Sequence, residues 1–164
     1  LINKCLIHRS KTLDLGCGYG AVGITLKLLN PELDVTFSDI NERAVEITRK
    51  NLWLHNLKDQ VIQSNGFENI NEKFDVILLN PPQTAGKKLC FKLIEDSKEH
   101  LNENGSLQLV ARHNKGGIEL SKKIRRWGWN FKKDKRVHPT IYKCWDEGTA
   151  IRIKSKIFGV EIIQ

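Results

Sequence analysis

Short apolar runs alternate with segments of helical periodicity along most of the chain. Strands are predicted where apolar residues run together or alternate with polar ones: from Thr12 into a glycine-rich turn, Asp34 to Ser38, about Val61 to Ser64, Phe74 to Leu79, Ser106 to Ala111, from Phe131 onward, and Ala150 to Ile157. Helices are predicted between them: about Ala21 to Leu29, after Asn41, roughly Lys87 to Leu101, and from about Gly117. This alternation favours an α/β fold with a mostly parallel sheet and helices on both faces.

Local signals set the bounds of several elements. Pro31 ends the first helix, because the residue before a proline is disfavoured in helical geometry. Asn41 is predicted to cap the second helix, whose inward positions are Ala44, Val45, Thr48, Leu52 and His55. Asn104 and Gly105 are expected to close the third helix. The inward residues of the fourth helix are predicted to be Ile118, Leu120, Ile124 and Trp127. Phe74 to Leu79 is almost wholly apolar, as expected of a central strand buried on both faces.

The stretch Thr12 to Gly23 reads Thr-Leu-Asp-Leu-Gly-Cys-Gly-Tyr-Gly-Ala-Val-Gly. Glycines let the backbone turn tightly and let a ligand approach closely, so this turn is predicted to be a cofactor loop. Its spacing also satisfies the dinucleotide fingerprint, but the carboxylate of Asp14 would repel a pyrophosphate at the helix N-terminus. The same carboxylate would attract the ammonium group of S-adenosylmethionine. A nicotinamide dinucleotide, or a turn without a ligand, is the alternative.

Polar residues follow the second and third predicted strands. Asp39 lies 19 residues after Gly20, where a carboxylate can accept hydrogen bonds from both hydroxyls of a ribose. It would equally suit the positive N-terminus of the next helix. Asn65 is a candidate to pair with an adenine edge and Phe67 to stack on the ring, although both residue types also serve turns.

Asn80-Pro81-Pro82 follows the fourth predicted strand and carries the signal for the reaction. An exocyclic amine or a side-chain amide is a poor nucleophile because its lone pair is delocalised. If the Asn80 side-chain oxygen and the Pro81 carbonyl each accept one N–H bond, that lone pair can point at a sulfonium methyl group. The two prolines stiffen the loop. A plain Asn-Pro turn is the alternative, and the position after the fourth strand favours the functional interpretation.

The excess of positive over negative charge is confined to one segment. Residues 112 to 136 contain ten Lys or Arg against two acidic residues, which equals the net charge of +8 of the whole chain, and the remainder has 17 of each sign. A basic patch on a neutral body is typical of a polyanion-binding protein, and a solvated helix face is the alternative. The residues predicted to contact RNA phosphates are Lys115, Lys122, Lys123, Arg125 and Arg126.

The length and composition indicate one globular domain, 1–164, without a membrane-spanning run or a signal peptide. Since the chain begins at Leu1 and has no methionine, we expect N-terminal elements to be missing. Its four separated cysteines, with no Cys-x-x-Cys pair, indicate a reducing, cytoplasmic setting. No metal site is predicted, because no plausible metal-ligand spacing is found among His8, His55, His100, His113 and His138.

The loop Asp-Leu-Gly-Cys-Gly-Tyr-Gly, Asp39 and Asn80-Pro81-Pro82 resemble the class I S-adenosylmethionine-dependent methyltransferases. The continuation Asn-Pro-Pro-Gln-Thr-Ala-Gly-Lys is most similar to the small-methyltransferase subgroup, which includes ribosomal RNA guanine-N2 methyltransferases. The resemblance implies a Rossmann-like fold with a seven-stranded sheet whose last strand is antiparallel. The cofactor residues it implies, with their neighbours, are Asp14, Gly16, Cys17, Gly18, Gly20, Asp39, Ile40, Asn65, Gly66 and Asn80.

Two positions depart from the subgroup. Amino-methylating members usually carry an aromatic residue after the prolines, which stacks on a flipped base, and here that residue is Gln83. Gln83 is therefore predicted to hydrogen-bond a base edge, with stacking supplied elsewhere. Trp127 and Trp129 are candidates for that stacking, although their spacing with Phe131 better fits a buried strand face. Asn65 also stands where an aspartate is common, which bears only on adenine affinity.

The sequence thus predicts an S-adenosylmethionine-dependent N-methyltransferase that acts on an exocyclic amine of RNA, most simply guanine N2 of ribosomal RNA. Asn80, Pro81 and Pro82 are the predicted catalytic residues. Protein glutamine N5-methylation is the enzymatic alternative, because the same geometry suits an amide. Outside the methyltransferases, a non-catalytic RNA-binding module and a nicotinamide oxidoreductase also fit the sequence.

Overall fold

The computed structural model describes residues 11–80, 86–111, 122, 124, 126, 129–134, 140–146, 155–157 and 160–162. The helices are α1 (Ala21–Leu29), α2 (Glu42–Leu54) and α3 (Gly86–Asp96). The strands are β1 (Lys11–Leu15), β2 (Asp34–Asp39), β3 (Gln60–Gln63), β4 (Phe74–Leu79), β5 (Leu101–Ala111), β6 (Trp129–Asp134), β7 (Thr140–Asp146), β8 (Ser155–Ile157) and β9 (Val160–Ile162).

Seven strands form one twisted sheet in the order β3-β2-β1-β4-β5-β7-β6. β1 to β5 are parallel to one another, whereas β7 runs antiparallel to both β5 and β6. The strand order reverses direction between β1 and β4, and ligands bind at such switch points in open α/β sheets. The predicted fold class, including the antiparallel last strand of the sheet, is confirmed.

Each face of the sheet is covered by its own apolar cluster. Along β4, Val76 and Leu78 join the cluster under α1 and α2, while Ile77 and Leu79 join the cluster under α3. All four side chains are nearly or fully buried, as expected for a central parallel strand. The central strand is therefore packed against an apolar cluster on each face of the sheet.

α1 ends and α2 begins where the sequence predicts, but His55, predicted as an inward position of α2, is exposed at its C-cap. The side chain of Asn41 caps α2 by accepting a hydrogen bond from the Arg43 N–H at 3.0 Å. α1 ends at Leu29, one residue before the Asn30-Pro31 pair. Helical residues Lys122, Ile124 and Arg126 belong to the predicted basic helix, and Ile124 is fully buried against the α3 face. The other inward positions predicted for this helix, Ile118, Leu120 and Trp127, lie outside the described residues.

The predicted bounds of α3 and β5 were wrong. α3 ends at Asp96, a turn follows, and β5 already begins at Leu101, which pairs with Phe74 of β4. The Ser97 hydroxyl donates to the Leu93 carbonyl at 2.6 Å and thereby satisfies a carbonyl at the end of the helix. Asn104, at φ 65, lies in an irregular stretch inside β5 and does not close the helix.

The position of the last strand of the sheet in the sequence was also predicted wrongly. It is β7, and the described part of the predicted strand Ala150 to Ile157 is β8, which pairs with β9 in a separate sheet. Residues 150–154 lie outside the described part. β7 reads Thr-Ile-Tyr-Lys-Cys-Trp-Asp and is rich in β-branched and aromatic residues, so a strand signal is present. Periodicity identifies a strand but not the strand that it pairs with.

A substitution in α1 tests the contact between the helix and the sheet. Alanine in place of glycine normally stabilises a helix interior by about 1 kcal/mol. At Gly23, however, a Cβ would lie 2.8 Å from Phe37 Cζ and 2.9 Å from Asp14 Oδ2, and Phe37 is fully buried. We expect Gly23→Ala to destabilise the protein by about 1–3 kcal/mol in urea denaturation, because the helix must shift. The control is Leu28→Ala at an exposed position of the same helix, and stabilisation by Gly23→Ala would contradict the close packing.

Candidate functional site

The strand register aligns three predicted site residues at one edge of the sheet. Leu15 of β1 pairs with Ser38 of β2 on one side and with Leu79 of β4 on the other. The residues that follow these three positions are Gly16, Asp39 and Asn80. Adjacent strands are about 4.8 Å apart, so roughly 10 Å of sheet width separates Asp39 from Asn80, with the glycine loop between them.

The glycine loop turns back over the end of β2. The N–H groups of Gly16 and Cys17 both donate to the Ser38 carbonyl, at 2.8 and 2.9 Å. Gly16 and Gly18 have φ values of 69° and 59°, which non-glycine residues rarely adopt. A Cβ built on either glycine would meet no atom within 4 Å. The loop is therefore open on the side where a side chain would project, and this cradle is available to a ligand.

Asp39 joins the loop to α2. One carboxylate oxygen accepts a hydrogen bond from the Gly18 N–H at 2.8 Å, and the other accepts from the Asn41 N–H at 2.9 Å. The interaction of Asp39 with the N-terminus of α2, the alternative role suggested by the sequence, is thus present. It does not exclude a ligand, because each carboxylate oxygen has a second lone pair and the side chain is partly exposed.

Asp14 lies beneath the loop. The side chain is 5% exposed, and its Oδ2 accepts a hydrogen bond from the Gly23 N–H in the first turn of α1 at 2.9 Å. Burial raises the pKa of this carboxyl from 3.8 to about 6, the charge of Asp39 adds to the rise, and the Gly23 hydrogen bond partly opposes it. The negative charge that the sequence suggested is therefore close to the loop, within the wall of the site.

Three other residues at this edge, Cys17, Ile40 and Asn80, differ in burial and in chemistry. Cys17 is buried with its Sγ 3.6 Å from Thr48 Oγ1, and burial raises the pKa of the thiol to about 12, so it is not a nucleophile near neutral pH. Ile40 is 62% exposed next to Asp39 and provides apolar surface. Asn80 is exposed at the end of β4, whereas Pro81, Pro82 and Gln83 lie outside the described residues.

The end of β3 corrects one interpretation. Phe67 is buried in the α3-side cluster and stacks on His100, with ring centroids 4.2 Å apart. The predicted stacking of Phe67 on an adenine ring was therefore wrong, because the Phe67 side chain is part of the core. Asn65 is exposed and donates to Glu68 Oε1 at 2.8 Å, and Gly66 follows it at φ 60.

Two residues of α2 contact the loop and were not recognised as site residues from the sequence. Thr48 was predicted only as an inward helix position, and Asn51 was not singled out. The Thr48 hydroxyl donates to the Gly18 carbonyl at 2.9 Å, and the Asn51 side chain donates to the Tyr19 carbonyl at 2.8 Å. The available signal was their spacing, since two polar residues three apart share one helix face.

The predicted RNA-contacting residues are only partly described. Lys122 and Arg126 are exposed on the basic helix, and Trp129 begins β6. Lys115, Lys123 and Arg125 lie outside the described residues, as does Trp127. Within the described ranges, no group of three or more His, Cys, Asp or Glu residues is arranged to hold a metal ion. The same ranges contain no helix that is long and apolar enough to span a membrane.

A seven-stranded sheet with this order, carrying a glycine loop after β1 and an acidic residue at the end of β2, defines a Rossmann-like domain with the fold of the class I methyltransferases. The model of one family, described as the methyltransferase small domain, matches residues 1–128. The chain belongs to this family.

Curated relatives share sequence with part of this chain. Ribosomal RNA small subunit methyltransferase C of Actinobacillus pleuropneumoniae serotype 7 is 39% identical over 113 residues, which cover 66% of this chain and 34% of the relative. The protein of the same name from Haemophilus influenzae strain Rd is 39% identical over 107 residues, or 63% of this chain and 32% of the relative. The chain thus spans about a third of the length of the curated relatives it matches.

Solved structures share the fold. The T. thermophilus 16S rRNA N2 G1207 methyltransferase, in complex with AdoMet and guanosine, superimposes with a TM-score of 0.69 at 24% identity, covering 84% of this chain and 37% of that one. The ribosomal protein L11 methylase from Lactobacillus delbrueckii subsp. bulgaricus gives a TM-score of 0.74 at 18% identity, covering 87% and 72%.

The buried carboxyl of Asp14 predicts a particular dependence of stability on pH. Its pKa of about 6 in the folded state lies above the ordinary value of 3.8, so the folded protein holds this proton more tightly than the unfolded chain. Relative to Asp14→Asn, we expect the wild type to lose about 2 kcal/mol of unfolding free energy as the pH rises from about 4 to 7. Urea denaturation of both proteins across this range measures the difference, and parallel curves would contradict it.

Proposed function

We propose that this chain binds S-adenosylmethionine and transfers its methyl group to an exocyclic amine of RNA, with guanine N2 of ribosomal RNA as the target. The observation that carries the proposal is the row formed by Asp39, Gly16 and Asn80 at the ends of three adjacent strands. A ribose-binding carboxylate, an open glycine loop and an amide that can orient an amine then lie side by side at the switch point of the sheet.

The residues of the glycine loop fit the methionyl part of the cofactor. The open cradle at Gly16 and Gly18 admits a chain that a Cβ would exclude. The first N–H groups of α1 have no partner within the helix and suit a carboxylate, while the buried charge of Asp14 suits an ammonium group. The proposed contacts to this part are Asp14, Gly16, Cys17, Gly18 and Gly20.

The adenosine part is assigned to the ends of β2 and β3. Asp39 retains lone pairs for the ribose hydroxyls, since each of its oxygens accepts one described hydrogen bond. Ile40 offers exposed apolar surface for the face of the adenine ring. Asn65 and Gly66 are the proposed contacts to the edge of the ring, and Asn65 would then exchange its bond to Glu68 for one to the base.

Asn80 and Pro81 are proposed to orient the amine. Bound S-adenosylmethionine would supply an electrophilic methyl group, with S-adenosylhomocysteine as the leaving group and the amine proton released to solvent. The Asn80 side-chain oxygen and the Pro81 carbonyl accept the two N–H groups and hold the lone pair in position, and Pro82 stiffens the loop. Because this role is positioning and electrostatic, it needs no side chain with a shifted pKa.

The choice of RNA rests on the relatives and on charge. The curated relatives are named for ribosomal RNA of the small subunit, and one solved structure of the same fold is named for guanine N2. The net charge of +8 is concentrated in residues 112 to 136, where Lys122 and Arg126 are exposed. They are proposed to contact RNA together with Lys115, Lys123 and Arg125, and Gln83 is proposed to hydrogen-bond a base edge.

The cofactor assignment is tested at Asp39. We expect Asp39→Ala to weaken S-adenosylhomocysteine binding roughly 10- to 100-fold, because a charge-assisted hydrogen bond contributes about 1.5–3 kcal/mol. Isothermal titration calorimetry measures the Kd. The matched control is Asp34→Ala at the exposed opposite end of β2, which should bind like the wild type. Binding of NADH without binding of S-adenosylhomocysteine would overturn the assignment in favour of an oxidoreductase.

The reaction is tested at Asn80. Incubated with labelled S-adenosylmethionine and total RNA from cells that lack this protein, the wild type should produce N2-methylguanosine. We expect Asn80→Ala to lower this rate roughly 10²- to 10³-fold, because a group that stabilises the transition state is removed. Asn30→Ala, at the C-terminal end of α1, is the control and should leave the rate unchanged. A parallel incubation uses protein extract from the same cells. Label in protein glutamine, with none in RNA, would replace the RNA substrate by a protein, and label in neither would favour a non-catalytic module.

A further inference from the structure

Helix α2 holds the glycine loop by two hydrogen bonds from one of its faces. The Thr48 hydroxyl donates to the Gly18 carbonyl at 2.9 Å, and Asn51 Nδ2 donates to the Tyr19 carbonyl at 2.8 Å. Residues three apart on a helix lie on the same side, so both donors point at successive peptide units of the loop. Thr48 is fully buried, whereas the bond of Asn51 lies at the surface.

The Gly18 residue is therefore fixed from two directions. Its N–H donates to Asp39 Oδ2 at 2.8 Å, while its carbonyl accepts from Thr48. Asp39 also accepts from the Asn41 N–H at the start of α2, so the acidic residue, the helix and the loop form one hydrogen-bonded unit. This unit opposes the conformational freedom that glycine would otherwise give the loop.

The helix itself does not depend on these two bonds. Val45 and Leu52 are 2% and 3% exposed and attach α2 to the core, and Asn41 caps its N-terminus. Losing the hydroxyl of Thr48 or the amide of Asn51 should therefore release the loop without releasing the helix.

We infer that Thr48 and Asn51 are positioning residues, which hold the glycine loop in the conformation that receives the cofactor and thereby set its affinity. The inference rests on the proposed binding of S-adenosylmethionine. A loop that is already in its binding conformation loses less conformational entropy when the ligand binds, so the affinity is higher.

The experiment compares variants that remove and restore the donors. Thr48→Val keeps the shape of the side chain without the hydroxyl, Thr48→Ser restores the hydroxyl, and Asn51→Ala removes the surface donor. Ile94→Val, a fully buried position on the opposite face of the sheet, is the control that lowers stability without touching the loop. The three readouts are Tm, amide hydrogen exchange at residues 18 to 20 without ligand, and the Kd for S-adenosylhomocysteine.

We expect the loop amides of the Thr48→Val and Asn51→Ala variants to exchange their hydrogens faster than in the wild type. Both variants should bind S-adenosylhomocysteine roughly 5- to 20-fold more weakly. Thr48→Ser should return to within about twofold of the wild type, and Ile94→Val should lower Tm with an unchanged Kd. Unchanged exchange and Kd in both Thr48→Val and Asn51→Ala would overturn the inference and leave a purely structural role. If the wild type itself bound no S-adenosylhomocysteine, the proposed function would fail. Hydrogen exchange is measured without ligand, so unchanged loop exchange in the Thr48 and Asn51 variants would overturn the positioning role independently of that result.

Discussion

The hydrogen bond from the Gly18 N–H to the Asp39 carboxylate is the interaction on which the site depends. It joins the turn after β1 to the end of β2, two segments that are separated by a whole helix in the sequence. The second oxygen of the same carboxylate holds the start of α2, which in turn contacts the loop through Thr48. The Asp39 side chain therefore connects the loop, the end of β2 and the start of α2.

The sheet that carries this arrangement is packed against an apolar cluster on each face. Neighbouring residues of β4 enter opposite clusters, and buried polar side chains of other strands in the sheet, such as Thr36 and Gln108, are uncharged. Asp14 is the buried exception beneath the loop, and its raised pKa reflects the free energy required to keep a carboxylate there. The backbone N–H of Gly23 offsets part of that penalty, which ties the charge to the first turn of α1.

The sequence was most informative where a local signal has one structural meaning. Asn41 caps α2 because its side chain replaces a missing helical partner. Phe74–Leu79 is a central strand because few other environments accept six residues of which five are apolar. The bounds of α3 and the last strand of the sheet were wrong because they depend on pairing. Leu101 fits a helix by periodicity, but its partner is Phe74 of β4. β7 and the stretch Ala150 to Ile157 both have strand character, and only tertiary contacts select the one that pairs with β5.

The sequence alone determined the α/β class, the glycine loop, and the candidate residues Asp39 and Asn80, since glycine spacing and strand-end polar residues are local patterns. Only the tertiary structure decided that Phe67 belongs to the core and stacks on His100, and that Asn51 reaches a carbonyl 32 residues away. The reason is physical. Backbone conformation and hydrophobic periodicity depend on neighbours in the chain, whereas the partner of a side chain depends on which elements the folded sheet brings together.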